Sequence, residues 1–310
     1  MNKLVFIPGT VFFAAVLFHS GVLFADSVPA PAARAADRAA EEQAARDAAA
    51  GEPKEDKNFK TTVVGKPQRD TDLIGEYKQP VWTTKRRFTD TEVYVLPPGE
   101  LSLDFWFITR GDMVSDGQPF NRWKLELEYG LGKRFLADFF LQFEQAGYSG
   151  ELKLSEIELE LRWAWADWGV LWGNPTIQVD YEFKTQAPQA MEAKLMFGDQ
   201  FKDRWFWGLN FFYGREFGSP GEQEFGATLG MSYIFIYNRL SFGFELKTEL
   251  EGAGEDGVVL AGPSLQIRAT KNIYIDLIPM AGVRFGEGLP GGSDAVGAYQ
   301  VYLILGSTFE

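Results

Sequence analysis

Carboxylates recur at alternate positions through much of this chain, as in Glu126 and Glu128, Glu158 and Glu160, and Asp180 and Glu182. In an extended strand that spacing puts both acids on one face. Such a pair could act as the acid and base of a glycosidase or as oxygen ligands of a metal. Asp138, Glu192, Glu245 and Asp276 continue the pattern, interleaved with Arg162, Lys184, Lys194, Lys247, Arg268 and Arg284. Charges repeated so regularly favour a plainer reading, the wetted wall of an interior space. Glu251, Glu255 and Asp256 in a Gly-rich stretch could hold Ca²⁺, although a solvated loop is the stronger reading. Other chemistries lack their parts. The one His is His19, within the expected leader, so the remaining chain offers no imidazole base for a Ser-His or Asp-His arrangement. With no Cys there is no thiolate metal site and no disulfide framework. No catalytic residue, cofactor or metal is expected.

The elements that carry these charges alternate strictly. Phe225, Ala227, Leu229, Met231, Tyr233 and Phe235 alternate with Glu224, Gly226, Thr228, Gly230 and Ser232. After a tight Tyr237-Asn238-Arg239, Leu240, Phe242, Phe244, Leu246 and Leu250 alternate with Ser241, Gly243, Glu245, Lys247 and Glu249. Period two over about ten residues describes a strand with one apolar and one polar face. The pattern repeats from Glu100 to Phe309 about twelve times, with a phase slip near Ser155 that suggests a β-bulge. An even number of such strands with alternately short and longer connectors describes a transmembrane β-barrel with a polar interior. A soluble β-sandwich or lipocalin-like barrel is the structural alternative. Trp163, Trp165, Trp168, Trp172, Trp205 and Trp207 lie near strand ends, where amphipathic rings settle at a lipid–water boundary. Pro263 and Pro279 fall inside strands and each removes a ladder donor.

Residues 1–25 read as a signal peptide, with Lys3 in the basic region, an apolar stretch from Leu4 to Phe18, and Ala25 or Ala30 at the cleavage point. An uncleaved anchor is the alternative. Residues 26–60 are Ala-rich with high helix propensity and no large apolar stripe, which suits a solvated helix or disordered tether, or a weak coiled coil. Residues 61–98 are polar and Pro-punctuated and are expected as a linker, with Lys85-Arg86-Arg87 solvated or near lipid headgroups. Residues 99–310 are expected to form the barrel. The net charge of -13 over 310 residues argues against a nucleic-acid partner.

Two features resemble known families. The final strand, Tyr299-Val301-Leu303-Leu305 in phase with Phe309, is similar to the C-terminal signature of bacterial outer-membrane proteins, although Glu310 replaces a terminal Phe. This likeness implies recognition by the barrel-insertion machinery. Leu96-Pro97-Pro98-Gly99-Glu100, Gly173-Asn174-Pro175-Thr176 and Gly262-Pro263-Ser264-Leu265 resemble segments of a broad set of outer-membrane barrels that includes the MetA-pathway (phenol degradation) transporters. That resemblance implies a barrel and points toward small-molecule passage.

Together these readings give an all-β, antiparallel transmembrane barrel in the cell outer membrane, in contact with lipid and with small solutes. Its expected function is a passive channel or transporter with a weakly cation-selective lumen, lined by the charged residues named above. The alternatives are a plugged structural or surface-binding barrel and, less favoured, an outer-membrane enzyme.

Overall fold

The computed structural model describes residues 69–113, 118–218, 221–252, 256–287, 289 and 294–309. The expected signal peptide, the Ala-rich segment and Glu255 lie outside the described residues.

Strict alternation produces what period two demands. Twelve antiparallel strands close into one barrel. They are β3 (Leu101–Asp112), β4 (Phe120–Gly132), β5 (Phe135–Ala146), β6 (Lys153–Ala164), β7 (Thr176–Lys184), β8 (Ala190–Phe201), β9 (Trp205–Glu216), β10 (Gln223–Ile236), β11 (Leu240–Glu251), β12 (Asp256–Arg268), β13 (Ile273–Phe285) and β14 (Ala295–Phe309). Each pairs with its neighbours in sequence, and β14 closes on β3 with Leu305 opposite Phe105. Closure leaves no strand edge with unpaired backbone groups, the condition for a sheet to sit in hydrocarbon. A two-stranded hairpin, β1 (Leu73–Ile74) with β2 (Gln79–Pro80), and a 3-10 turn over Val81–Thr84 precede the barrel.

The outward face carries the large apolar side chains. Leu103 opposes Leu127, Phe105 opposes Leu125, and Leu229 lies between Leu209 and Leu246, with Leu103, Leu127 and Leu229 all exposed. Exposed apolar residues over the whole circumference would be untenable in water and are what a lipid-facing wall requires. The molecule is therefore a transmembrane β-barrel. One end has mostly short turns, such as 237–239 between β10 and β11 and 269–272 between β12 and β13, with 165–175 between β6 and β7 as a long exception; the other end has connectors of intermediate length, such as 147–152 and 286–294. An aromatic girdle surrounds the turn end: Phe135 stacks on Trp163, Phe201 on Trp205, and Trp172 lies 5.8 Å from Trp207. Trp168 departs from its expected place in this girdle. It packs edge-on against Trp82 and Tyr94, at 5.6 and 5.2 Å.

The irregularities have local causes. Pairing steps from Gln142 opposite Glu156 to Phe143 opposite Leu154, so Ser155 is the extra residue of a bulge. Pro263 and Pro279 face each other at one interruption of the β12–β13 ladder, between the pairs Ala261–Ala281 and Leu265–Leu277. Two missing donors thus weaken one rung instead of two.

A substitution should distinguish the two faces. Leu229→Arg places a charge on the lipid side, where the cost is about 2–4 kcal/mol near the midplane, and should reduce the heat-modifiable, membrane-inserted fraction. Glu224→Arg, at a position lining the interior cavity, should insert normally. Equal insertion of both variants would contradict the assigned faces.

Candidate functional site

The interior is built from the residues that alternate with this apolar face. Glu126, Glu128, Asp138, Glu160, Arg162, Asp180, Glu245, Arg268 and Asp276 are buried on the inner wall. Glu158, Glu182, Lys184, Glu192, Lys194 and Lys247 line its large cavity. Arg284 lies at the loop-end rim, gripping Asp112 through two hydrogen bonds of 2.8 and 2.7 Å from one nitrogen. The wall is not uniformly polar. Trp106, Ile108, Leu260, Ile278, Met280, Ala298, Tyr302 and Ile304 form an apolar inner patch over β3 and β12–β14, whereas the acids concentrate on β4–β8.

Residues 69–98 are not a solvated linker. They fill the turn-end half of the barrel. Tyr77, Trp82, Phe88, Val93, Tyr94, Val95 and Leu96 are buried and pack with Leu136, Ala164, Phe206 and Ile234 of the wall. Burial of several large side chains stabilises this placement, at roughly 1.5–3 kcal/mol for each fully buried one. Polar ends are satisfied as well: Trp82 Nε1 donates to Gln200 Oε1 at 2.9 Å, and Tyr94 Oη donates to the Ala166 carbonyl at 2.6 Å.

The wall is shaped for this inserted segment. Gly198, Gly208 and Gly230 are consecutive partners across β8, β9 and β10. A Cβ on Gly198 would lie 2.2 Å from Val93, one on Gly208 2.7 Å from Thr91, and one on Gly230 2.3 Å from the Phe88 ring. These three glycines form a trough in which residues 88–93 lie, and any side chain there would occupy the same space.

Charge fixes the segment further. Arg86, with its side chain 5% exposed, is ringed by wall acids: its Nε donates to Asp104 at 3.0 Å, it pairs with Glu126, and Glu128 lies 3.8 Å away. Its guanidinium also sits 4.5 Å above the Trp106 ring. Arg87 donates to Ser241 at 2.7 Å, and Asp70 bridges it to Arg268. Thr89 N donates to Glu245 at 2.9 Å, Asp90 pairs with Lys247 at 3.0 Å, and Glu92 pairs with Arg162. Burial pushes the Glu92 carboxyl up, but Arg162, Lys194 and Arg86 outweigh it and hold it down at about 2. Arg86 and Arg87 therefore face the barrel interior, where the acids are the stronger partners, while Lys85 reaches the turn end and donates to the Lys271 carbonyl at 2.7 Å.

Above the segment, toward the loop end, is a cavity of about 760 Å³ floored by Thr89, Asp90 and Glu92. Cavities lined by the segment itself measure about 40 and 10 Å³. Those spaces suit at most one or a few waters, since one water needs about 10–15 Å³. Among the described residues the interior is thus a cup, open at the loop end and closed below. The acids, bases and inner face were visible in the alternation. The inserted segment was not, although Val93-Tyr94-Val95-Leu96 and the adjacent basic triplet carried a signal for it.

No protein-family model matches the chain, and no curated protein matches it in sequence. Its fold is similar to solved outer-membrane barrels. The COG4313 outer membrane channel from Pseudomonas putida F1 aligns with a TM-score of 0.50 at 12% identity, over 73% of this chain and 100% of that one. The NanC porin aligns at 0.49 and 10% identity, over 65% and 98% respectively. At these identities the likeness concerns the fold.

Two variants should release the inserted segment. Arg86→Ala leaves Asp104, Glu126 and Glu128 buried without that cation, and breaking a buried ion pair costs about 3–5 kcal/mol. Gly230→Ala drives a methyl into Phe88. In detergent, trypsin should spare Lys85 and Arg87 in the parent barrel and cut there in both variants, as read by mass spectrometry. Equal resistance in all three proteins would contradict the proposed anchoring.

Proposed function

We propose that this barrel is a passive outer-membrane channel for small solutes, closed at rest by residues 69–98 and opened when they leave the barrel. The observation that carries this reading is the cup itself, a water-sized to solute-sized space continuous with the loop end and ended by a separate, non-strand segment. Its 760 Å³ lies within the range of small-molecule sites, about 300–1,000 Å³. With the short turns assigned to the periplasm, the cup faces outward and the segment fills the periplasmic half.

Among the described residues, thirteen carboxylates line the cup against seven Lys and Arg side chains. That surplus, confined by low-dielectric walls, enriches cations, which supports weak cation selectivity. The C-terminal strand supports recognition by the insertion machinery, and the resemblance to MetA-pathway barrels supports small-molecule passage. A second reading, a closed barrel that binds solutes at the outer surface, draws on the same burial of residues 69–98.

Planar-bilayer recording separates the two. The parent protein should conduct weakly, and a variant lacking residues 69–98 should conduct strongly, with a reversal potential in a KCl gradient that favours K⁺ and declines as salt screens the wall. Changing Glu158, Glu160, Asp180 and Glu182 together to Gln or Asn should shift the selectivity toward Cl⁻. A silent deletion variant that is folded by heat-modifiable mobility would favour the closed binding barrel, and anion preference in the unsubstituted lumen would refute the cation reading.

A further inference from the structure

Glu128, Asp138, Glu160, Asp180 and Glu192 are consecutive partners across β4 to β8, a lateral row of five acids on the inner wall. Like charges directly opposite one another destabilise a sheet unless something lies between them. Cations answer part of this row. Arg162 reaches Glu160 and Glu128, Lys194 lies 3.4 Å from Glu192, and Lys124 lies 3.7 Å from Glu158 just above. Asp180 has no such partner within ion-pair distance among the described residues. One of its oxygens accepts from Gln178 Nε2 at 2.9 Å, while the other, on a residue only 2% exposed, has no hydrogen-bond partner. Asp138, 3% exposed, has both oxygens unpartnered.

We infer that Glu158, Glu160 and Asp180 form a Ca²⁺ site in the wall of the cup. One carboxylate oxygen from each lies within 4.8 Å of the others. Oxygens bound to one Ca²⁺ at 2.3–2.6 Å are about 3–5 Å apart, so the three can converge on Ca²⁺ with little movement; Mg²⁺, at about 2.0–2.1 Å, demands a tighter, octahedral set. The ligands are hard oxygens with no imidazole or thiolate among them, which favours this class of ion. All three line the cup, so the ion has an entry path and water can complete its coordination. The free oxygen of Asp180 gains a partner, and the bound charge shields Asp138 one strand away. This inference concerns binding and stands whether or not the barrel conducts.

Calorimetric titration of the purified, EDTA-stripped full-length barrel in detergent with CaCl₂ tests it. The parent should show one saturable, near-stoichiometric uptake. Asp180→Asn should abolish it, and Glu287→Gln, on an exposed loop-end residue, should leave it unchanged. Heat-modifiable mobility verifies folding of each variant; should Asp180→Asn fail to fold, Glu158→Gln takes its place with the same expected loss. Absence of saturable uptake in the parent, which would mean that protons or the neighbouring cations satisfy the acids, overturns the inference. Uptake unchanged in a folded ligand variant overturns it equally.

Discussion

A closed barrel whose inner wall carries many buried carboxylates has to place something positive or something wet against them, and that requirement shapes the rest of this molecule. In the turn-end half the answer is Arg86, set among Asp104, Glu126 and Glu128 with Glu92 at 3.6 Å. In the loop-end half the answer is a cavity large enough to hold solvent, together with Lys124, Lys184, Lys194 and Lys247. An ion pair this deeply buried returns little net stability, because desolvation offsets most of the attraction, yet removal of one member leaves the other stranded. It therefore specifies where residues 69–98 lie more than it strengthens the fold. Stability of that placement comes from the apolar residues around Trp82 and Phe88 and from the glycine trough.

Division of the lumen follows from the same constraint. Where the inserted chain supplies cations and backbone partners, the wall can be dense and dry; beyond its upper edge, at Thr89, Asp90 and Glu92, the wall opens onto the cavity. The apolar patch over β3 and β12–β14 faces this charged wall across the interior. Tyr302 links the patch to the inserted segment, packing within the patch while its hydroxyl donates to Asp90.

The barrel was legible because its lipid face imposes period two on every strand, and Leu103, Leu229 or Phe244 can point only one way once the alternation is set. Even the bulge at Ser155 showed as a slip in phase. The inserted segment left no such mark. Its apolar residues contact a concave wall on several sides, so Trp82, Phe88 and Val93 follow neither a helical nor a strand period, and Lys85-Arg86-Arg87 reads as solvated when the wall acids that Arg86 meets, Asp104, Glu126 and Glu128, lie on other elements far along the sequence. Gly198, Gly208 and Gly230 align only when the strand register is known. Trp168 departs from the girdle for a related reason: proximity to a strand end locates a ring at the right height, and only the presence of Trp82 and Tyr94 inside determines which way it turns.

Disulfide trapping tests the central claim, that residues 69–98 occupy and close the barrel. The chain contains no Cys, so Val93→Cys with Gly198→Cys introduces one unambiguous pair across the trough, the first substitution removing the branched Val93 side chain that a Cβ at position 198 would otherwise meet. Mild oxidation of the folded, membrane-inserted protein should link positions 93 and 198 nearly completely, and a control pair at 93 and 280, with Met280 on the apolar patch, should stay reduced. Failure of the 93–198 pair to link, with both thiols freely labelled by a water-soluble reagent in the folded barrel, would contradict the account.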